Sequence, residues 1–311
     1  MKNKMPLVSV IINVHNGEQY LSECINSVLN QSFIDFELII YDNESTDDTK
    51  KIISSFKDVR IKYYKSDKFL KLGDARNRAL EKVNGEYIAF LDCDDLWMAT
   101  KLEKQIKIFK NNLNTGIVIC NTIFFNNSGK QKVLYKSKPP TGRVFSNLLS
   151  NYFISLETVL IKKKYLDKLN NRFYLNFQMI EEYDLLLRLS LICELDYVDE
   201  ILSKWRVHQK SWTWNKEDLF FKEKKILIKK LKDLIPNFEN NYKKEIYLFV
   251  RQYELEESLF NLRLGEKKNA RKIIKKYALD GFKWLIIYLC CFVSIKFYEF
   301  LYNLRGHVKP N

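Results

Sequence analysis

The first part of the chain alternates between continuously apolar blocks and blocks whose apolar residues have helical spacing. Residues 7–14 are apolar and rich in β-branched side chains, which is typical of a strand covered on both faces. Residues 18–30 place Leu21, Ile25 and Val28 on one face of a helix. The same patterns predict further strands at residues 36–41, 60–64 and 87–91, and further helices at residues 47–56 and 74–82. This alternation predicts an α/β fold, in which helices flank a doubly wound, mainly parallel sheet that binds ligands at the carboxyl ends of its strands.

The pattern changes in the middle of the chain and again near its last third. The sequence predicts a strand at residues 116–125, a turn at 126–129 and an extended segment at 131–136. It then predicts a short helix at residues 144–151 and another strand at 155–159. From about Lys216 the chain is basic, and its apolar residues keep helical spacing over long stretches. We therefore expect an α/β domain over residues 1–215, followed by a basic helical extension over residues 216–311.

Three aspartates, Asp92, Asp94 and Asp95, follow the apolar run of residues 87–91. Carboxylates this close repel one another and lose hydration together, so they require a cation nearby. Mg²⁺ and Mn²⁺ prefer oxygen ligands and often leave coordination positions open for phosphate oxygens. A metal that holds a diphosphate is therefore one interpretation, and capping of a helix at residues 96–110 by Asp94 or Asp95 is the other. The cluster alone does not decide between them.

Polar residues also end the other predicted strands. Asn13 and His15 follow the first strand, and Asp42 follows the second. In a parallel sheet these residues, together with Asp92 and Asp94, face one crevice. The sequence contains neither the GxGxxG dinucleotide fingerprint nor a GxxxxGK[ST] phosphate loop. A nucleotide held mainly by carboxylates and a metal is the interpretation that remains.

Composition and charge narrow the function classes only partly. The chain has 311 residues, of which 46% are hydrophobic, so it can bury a sizeable core. A net charge of +14 implies an anionic partner, such as nucleic acid, an acidic membrane or a phosphorylated ligand. The six cysteines form no CxxC pair, which argues against a zinc site or a disulfide framework and favours a reducing compartment. Because the N-terminus does not resemble a signal peptide, we expect the chain in the cytoplasm.

Four sequence blocks occur in a specific order: VSVIINVHNGEQYLSECINSVLNQS, FELIIYDNESTDDT, GDARNRAL and GEYIAFLDCDDLW. Together they resemble the nucleotide-sugar half of the family 2 glycosyltransferases, which are inverting enzymes of the GT-A fold. The resemblance implies a GT-A (Rossmann-like) sheet and transfer of a sugar from a nucleotide-diphosphate sugar, expected to be a UDP-sugar, to a hydroxyl of a saccharide acceptor. It further implies that this acceptor is a lipid-linked or cell-surface polysaccharide intermediate.

The resemblance gives roles to matching residues. Asp42 is expected to bind uracil or its equivalent through its acceptor oxygens, and Arg76 is expected to contact the nucleotide. Asp92 is expected to meet the ribose or the metal, and Asp94 to bind the Mg²⁺ or Mn²⁺ ion. The residues expected to line the nucleotide-sugar site are Asn13, His15, Asp42, Arg76, Asp92 and Cys93. The structural alternatives are a turn-forming role for Asp42 and a surface position at a helix start for Arg76.

A second acidic block, IEEYDLLLRL at residues 180–189, resembles the family segment that carries the catalytic base at the start of a helix. Inversion requires a base that takes the proton of the attacking hydroxyl, and the resemblance maps this base onto Glu182, with Asp184 as the second candidate. The alternative is structural, because acids favour a helix N-terminus and Asp184 can pair with Arg188 one turn on. His208, in a block that resembles the end of the catalytic domain, is expected to contact the metal or the diphosphate, with a purely structural histidine as the alternative.

Several positions depart from the family pattern. Asn13 stands where the family commonly has proline, His15 where it has tyrosine, and Asn43 and Glu44 where it has aspartate and glycine. Glu44 is expected to be strained if the turn keeps the positive φ that glycine favours. These departures leave the fold prediction unchanged but leave the base and the sugar undetermined.

An apolar stretch in the C-terminal extension, residues 284–295, lies between Lys283 and Lys296. It is shorter than the roughly 20 residues that a membrane-spanning helix needs. We expect a segment near residues 282–302 to lie in the plane of an anionic membrane, at the cytoplasmic face of the inner membrane, where lipid-linked acceptors are presented. A nucleotidyltransferase acting on a sugar phosphate is the main alternative function. A non-enzymatic basic protein that binds membranes or nucleic acid is the other, although no nucleic-acid-binding module is recognisable.

Overall fold

The structure, a computed structural model, describes residues 5–209, 216–293, 295, 296 and 298. The chain forms two compact units. The first consists of Met1–Phe145 and Phe153–Val207, and the second consists of Ser146–Tyr152 and His208–Asn311. The predicted domain boundary after residue 215 adjoins residues 210–215, which lie outside the described part of the chain.

The first unit begins with four strands that follow the predicted apolar blocks. These strands are β1 (Val8–Val14), β2 (Phe36–Asp42), β3 (Ile61–Lys65) and β4 (Tyr87–Phe90). The helices between them are α1 (Leu21–Leu29), α2 (Thr49–Ser55) and α3 (Leu72–Leu80). β1 pairs in parallel with both β2 and β4, and β2 pairs in parallel with β3. The predicted parallel arrangement is therefore confirmed for this half of the sheet.

The second half of the sheet mixes strand directions. Its strands are β5 (Leu96–Trp97), β6 (Thr115–Phe125), β7 (Gln131–Val133), β8 (Leu160–Lys162) and β9 (Glu194–Arg206). The helices in this part are α4 (Lys101–Asn111), α6 (Lys163–Leu166) and α7 (Glu181–Ser190), while α5 (Phe145–Ser150) belongs to the second unit except for its first residue. β8 runs antiparallel to both β4 and β6, whereas β9 runs parallel to β6. Within the described residues the strand order is β3-β2-β1-β4-β8-β6-β9-β5, and β7 pairs with β6.

Burial on both faces explains the apolar sequences of β1 and β2. Every residue of β2 is buried, and Asn13 is the one partly exposed residue of β1. Glu37, a polar residue inside β2, accepts a hydrogen bond from Ser9 Oγ at 2.6 Å. Ile25 of α1 packs in the same core. Because the strand interiors are enclosed, polar side chains that could meet a ligand are concentrated at the strand ends.

Two predicted elements are wrong in the region after β4. The helix predicted over residues 96–110 begins at Lys101, because residues 96–97 form β5 and pair with β9. The strand predicted over residues 155–159 is replaced by a 3-10 turn at Leu156–Thr158, after which β8 begins. Since the acidic cluster precedes β5 and not a helix, helix capping does not account for it.

The second unit contains the helical extension that the basic tail predicts. Its helices are α8 (Glu217–Leu234), α9 (Phe238–Asn241), α10 (Lys243–Arg263), α11 (Lys267–Ile274) and α12 (Phe282–Val293). Leu262, Ile274 and Ile287 join α10, α11 and α12 in a small apolar core. Over the described ranges, no helix combines the length and the apolar composition that crossing a bilayer requires.

Candidate active site

The carboxyl ends of β1, β2 and β4 bring polar side chains to one edge of the sheet. β1 lies between the other two strands, with which it pairs in parallel. The Leu91 amide donates to the Ile11 carbonyl at 2.9 Å, so Asp92 emerges beside the end of β1. Asn13, Asp42 and Asp92 therefore lie along one rim, as expected for strand ends in a parallel sheet.

Arg76 is the cation that this rim shares with α7. Arg76 Nη2 lies 3.0 Å from Asp92 Oδ1, and Nη1 lies 2.5 Å from Glu181 Oε1 and 3.9 Å from Glu182 Oε2. Burial lowers the pKa of Arg76, but attraction to Asp92 and Glu181 outweighs burial and leaves this pKa raised. Arg76 is thus a buried counter-ion, which differs from the surface position that the sequence alone allowed. Its contact with the nucleotide stays a prediction.

Glu182, the predicted base, lies in the first turn of α7 beside Arg76. Its side chain is 25% exposed, so a substrate hydroxyl can approach it. Burial and the neighbouring Glu181 raise the pKa of Glu182 to about 8, while Arg76 opposes this increase. A carboxylate with such a pKa accepts a proton near neutral pH far better than an ordinary glutamate does. Sequence analysis gave Glu181 no role, although the adjacent pair of acids was visible.

Asp184, the second candidate for the base, is fully enclosed in α7. Arg188 Nη2 and Nε donate to Asp184 Oδ2 at 2.6 and 3.0 Å, which confirms the predicted ion pair one turn apart. Arg188 also donates to the backbone carbonyls of Asn171 and Arg172. These contacts support the structural alternative for Asp184, because its carboxylate fixes the arginine that holds the loop before α7.

The acidic turn after β4 is held by Arg206 at the end of β9. The Arg206 amide donates to Asp95 Oδ1 at 2.8 Å, and Arg206 Nε donates to the Asp94 carbonyl at 2.9 Å. Burial, together with the nearby charge of Asp94, raises the pKa of Asp95 well above its usual range. Asp95 therefore shapes the turn, whereas Asp92 and Asp94 keep partly exposed side chains. Sequence analysis missed Arg206, although this arginine lies in the block that drew attention to His208.

Asp42 is buried at the end of β2, and both of its oxygens have partners within the chain. The Ser45 amide donates to Oδ1 and the Tyr63 hydroxyl donates to Oδ2, each at 2.8 Å. These bonds show the turn-forming role, and a contact between Asp42 and a nucleobase stays a prediction. Asn13 differs from Asp42, because its enclosed Nδ2 has no hydrogen-bond partner among the described residues.

The loops that follow β1 and β2 are joined by hydrogen bonds. His15 Nδ1 donates to the Asn43 carbonyl at 2.8 Å, and the Thr46 amide donates to Asn16 Oδ1 at 2.8 Å. Asn16 and Glu44 both have positive φ angles, of 53° and 63°. The predicted strain at Glu44 is therefore confirmed, because the turn keeps the left-handed conformation that glycine adopts more easily.

Cys93 and His208 are the remaining residues that the sequence predicts for the site. A Cβ at position 17 would clash with Val14 Cγ2 at 2.4 Å, so the turn after β1 favours Gly17, which lies in ordinary contact distance of Cys93. Burial raises the pKa of the Cys93 thiol well above its usual range, which keeps the thiol protonated. His208 belongs to the second unit, and its contact with a metal or a diphosphate stays a prediction.

Asp92 and Asp94 provide the partly exposed carboxylates that a divalent ion could use. In the part of the chain that the structure describes, no three His, Cys, Asp or Glu side chains are grouped as ligands of one metal ion. Mg²⁺ in particular is commonly bound through one or two carboxylates plus substrate phosphates. Asp92 and Asp94 therefore fit an ion of this kind, and Glu182 could accept a proton.

Comparisons with known proteins bear on the family and the fold of the chain. A model of glycosyl transferase family 2 matches residues 9–180. The chain is 33% identical over 243 residues to the Escherichia coli UDP-Glc:alpha-D-GlcNAc-diphosphoundecaprenol beta-1,3-glucosyltransferase WfgD, and the match covers 78% of this chain and 90% of WfgD.

Two solved structures show a similar fold at low identity. S. aureus TarS 1-349 in complex with UDP-GlcNAc has a TM-score of 0.66 at 17% identity, over 87% of this chain and 80% of TarS 1-349. The mannosyltransferase PcManGT from Pyrobaculum calidifontis, in complex with GDP-Man and Mn2+, has a TM-score of 0.60 at 18% identity, over 90% of this chain and 77% of PcManGT. The predicted GT-A fold is thereby confirmed. With its family match and its similarity to WfgD over most of both chains, the chain belongs to glycosyl transferase family 2.

Proposed function

We propose that this glycosyltransferase moves a sugar from a UDP-sugar to a hydroxyl of a lipid-linked saccharide, with inversion at the anomeric carbon. The observation that carries the proposal is the Arg76 network, which brings the partly exposed Glu182 next to Asp92 of the acidic turn. The name of WfgD gives UDP-Glc as its donor and a GlcNAc-diphosphoundecaprenol as its acceptor. TarS was solved with UDP-GlcNAc. These relatives support a UDP-sugar donor, and WfgD supports a lipid-linked acceptor.

The donor would lie along the rim at the ends of β1, β2 and β4. Asn13 Nδ2 is a hydrogen-bond donor without a partner among the described residues, so it can bind a nucleotide group. Asp92 is 43% exposed and can accept hydrogen bonds from ribose hydroxyls. Arg76 holds Asp92 in place, and we assign Arg76 to the nucleotide side of the site on this basis. Asp42 and Cys93 are assigned to the same side.

Glu182 would act on the acceptor. As the acceptor oxygen attacks the anomeric carbon, Glu182 takes the proton of that hydroxyl. The new bond joins the acceptor oxygen to the anomeric carbon, while the bond from this carbon to the diphosphate oxygen breaks and UDP leaves with the electron pair. Arg76 favours the carboxylate form of Glu182 that this step requires, because its positive charge lies 3.9 Å from Glu182 Oε2.

We assign Asp94 to a Mg²⁺ or Mn²⁺ ion that would contact the diphosphate of the donor. When bound, such an ion would neutralise the charge that develops on the departing diphosphate. Arg206 fixes the turn that carries Asp94 through its bond to Asp95. The presence of Mn2+ in the PcManGT complex supports a divalent ion in this fold.

We further propose that the second unit contacts an anionic membrane, at the cytoplasmic face of the inner membrane. Phe282, Leu285, Leu289 and Phe292 of α12 are exposed at helical spacing and form one apolar stripe. The lysines in and just after α11 are Lys267, Lys268, Lys272, Lys275 and Lys276. An apolar stripe near basic residues is typical of helices that lie in a membrane interface. Flotation with vesicles containing anionic lipid should carry the protein but not the Leu289→Asp variant, and equal flotation of both would contradict this contact.

A transfer assay tests the reaction. The protein would be incubated with Mn²⁺, a lipid-linked GlcNAc diphosphate and UDP-Glc, UDP-GlcNAc or GDP-Man, and the products identified by mass spectrometry. Glu182→Gln should bind UDP normally but lose transfer by a factor of about 100 or more. Asp94→Asn should weaken metal-dependent donor binding. Glu86→Gln, which changes an exposed glutamate just before β4, is the matched control and should retain activity.

The outcome also separates the rival functions. Release of a nucleoside diphosphate with a glycosylated lipid product supports the proposal. Release of pyrophosphate instead would support a nucleotidyltransferase. If no nucleotide sugar binds, a non-enzymatic binding protein is the better interpretation.

A further inference from the structure

An open cavity of about 610 Å³ lies between α3 and the 167–176 segment, which precedes α7. Asn77 and Glu81, one turn apart on α3, form one wall, and the 167–176 segment forms the other. Neither Arg76 nor Glu182 is among the described residues that line the cavity. Small-molecule sites typically have volumes of about 300–1,000 Å³, so the cavity can hold a ligand of its own, apart from the site described above.

The 167–176 segment is fixed to both neighbouring helices. Asn77 Nδ2 donates to the Phe173 carbonyl at 2.8 Å, and the Phe173 amide donates to Asn77 Oδ1 at 3.0 Å. From α7, Arg188 donates to the backbone carbonyls of Asn171 and Arg172. Because these bonds order the wall of the cavity before a ligand arrives, binding there loses little conformational freedom.

The charged side chains at the cavity are already paired with opposite charges. Lys163 Nζ lies 2.6 Å from Asp167 Oδ2, and Arg172 Nη2 lies 2.9 Å from Asp167 Oδ1. Glu81 Oε1 lies 3.5 Å from Arg78 Nη1. The two carboxylates disfavour an anionic ligand such as phosphate, and the cations beside them compete with a metal ion. The charges therefore favour a neutral ligand.

The uncharged polar side chains of the cavity are mainly amides. Asn170, Asn171 and Asn176 line it and are exposed. Asn176 Nδ2 donates to the Tyr174 hydroxyl at 3.3 Å. An amide side chain both donates and accepts, which complements a hydroxyl group that also does both. Leu175, which is 50% exposed, adds apolar surface. A ring that carries several hydroxyls and also has C–H groups matches this combination.

We propose that the cavity binds a neutral sugar unit of a glycan, and that this unit is not the one that reacts. The inference rests on the proposed function for the identity of the ligand, because a glycosyltransferase meets glycans as acceptors and as products. Since Arg188 joins the 167–176 segment to α7, a sugar bound there would be held at a fixed position relative to the helix that carries Glu182.

Saturation-transfer NMR on the full chain tests the site with two probes. Methyl β-glucoside is neutral, and glucose 6-phosphate has the same ring with a negative charge. UDP and Mn²⁺ are added so that the donor site is filled. The neutral probe should bind about tenfold more tightly than the charged probe, because like charges across a binding surface repel.

A double variant locates the binding. Asn170→Ala/Asn176→Ala removes two amides and should weaken the binding of methyl β-glucoside about tenfold. Asn30→Ala/Asn114→Ala is the matched control, since both asparagines are exposed and lie outside the cavity, and it should bind like the parent protein. Urea unfolding should give the same free energy for all three proteins, because the replaced side chains are exposed.

Retained sugar transfer together with lost binding of methyl β-glucoside in Asn170→Ala/Asn176→Ala would support the inference. Equal binding by this variant and the parent protein would overturn it, and so would a parent protein that binds no methyl β-glucoside or prefers glucose 6-phosphate. Loss of both binding and transfer in the variant would overturn the separation of the cavity from the reaction centre. If the parent protein binds the glucoside in the cavity but transfers no sugar, the proposed function fails while the sugar site stands.

Discussion

Replacement of Arg76 by methionine removes one charge that three carboxylates share. Methionine fills a similar volume, so the main loss is electrostatic. Glu181, whose side chain is 2% exposed, would lose this cation while it remains buried. Asp92 and Glu182 would lose the same partner, but their side chains are more exposed and water can compensate them in part.

The expected cost follows from this difference in burial. Removal of one partner from a buried ion pair costs about 3–5 kcal/mol, because a buried charge is left without compensation. A partly exposed pair such as Arg76–Asp92 adds about 0–1 kcal/mol. We therefore expect Arg76→Met to lower the free energy of unfolding by about 3–5 kcal/mol. At roughly 2–4 °C per kcal/mol, the Tm should fall by about 6–20 °C.

Urea unfolding followed by circular dichroism measures this loss. Arg78→Met is the matched control, because Arg78 lies in the same helix, is 54% exposed and is near Asp74 and Glu81. This control should cost less than about 0.5 kcal/mol. The double variant Arg76→Met/Glu181→Gln should recover part of the stability, because glutamine carries no charge that needs a counter-ion.

Equal losses in Arg76→Met and Arg78→Met would refute the role of Arg76 as a buried counter-ion. A double variant no more stable than Arg76→Met would refute the assignment of Glu181 as its main partner. The same variant also has a functional readout. Since Arg76 lowers the pKa of Glu182, its removal should shift the pH dependence of transfer to higher pH.

Three further predictions follow from single groups. Because the pKa of Glu182 is about 8, the fraction of Glu182 in the carboxylate form increases as the pH rises. The initial rate of transfer should therefore grow about tenfold between about pH 7 and 9. A flat profile would argue against Glu182 as the base. Asp184→Asn leaves the buried Arg188 without its carboxylate and should lower the free energy of unfolding by about 3 kcal/mol in urea titrations; a neutral effect would contradict a structural ion pair. Glu44→Gly removes the strain of a glutamate with a left-handed backbone conformation and should raise the free energy of unfolding by about 0.5 kcal/mol. The gain is small because glycine also increases the conformational entropy of the unfolded chain. A loss of stability would show that Glu44 makes compensating contacts.

The sequence by itself determined the strands that carry the site and the residues at their ends. β1 and β2 are enclosed on both faces, so their sequences are mainly apolar, and the polar residues near their carboxyl ends, Asn13 and Asp42, mark the rim. The acidic cluster after β4 was also visible in the sequence, because carboxylates at the end of a buried strand carry a high desolvation cost. The ion pair between Asp184 and Arg188 was also predictable, since both residues lie one turn apart in one helix.

Only the tertiary structure decided which charged groups face one another. Arg76 and Glu181 are 105 residues apart, and their contact leaves no periodic pattern because it involves one side chain from each segment. The pairing of residues 96–97 with β9, which displaced the predicted start of α4, depends in the same way on a distant strand. Local patterns report how each element is buried, whereas the raised pKa of Glu182 depends on the charges and the burial that folding imposes from other elements.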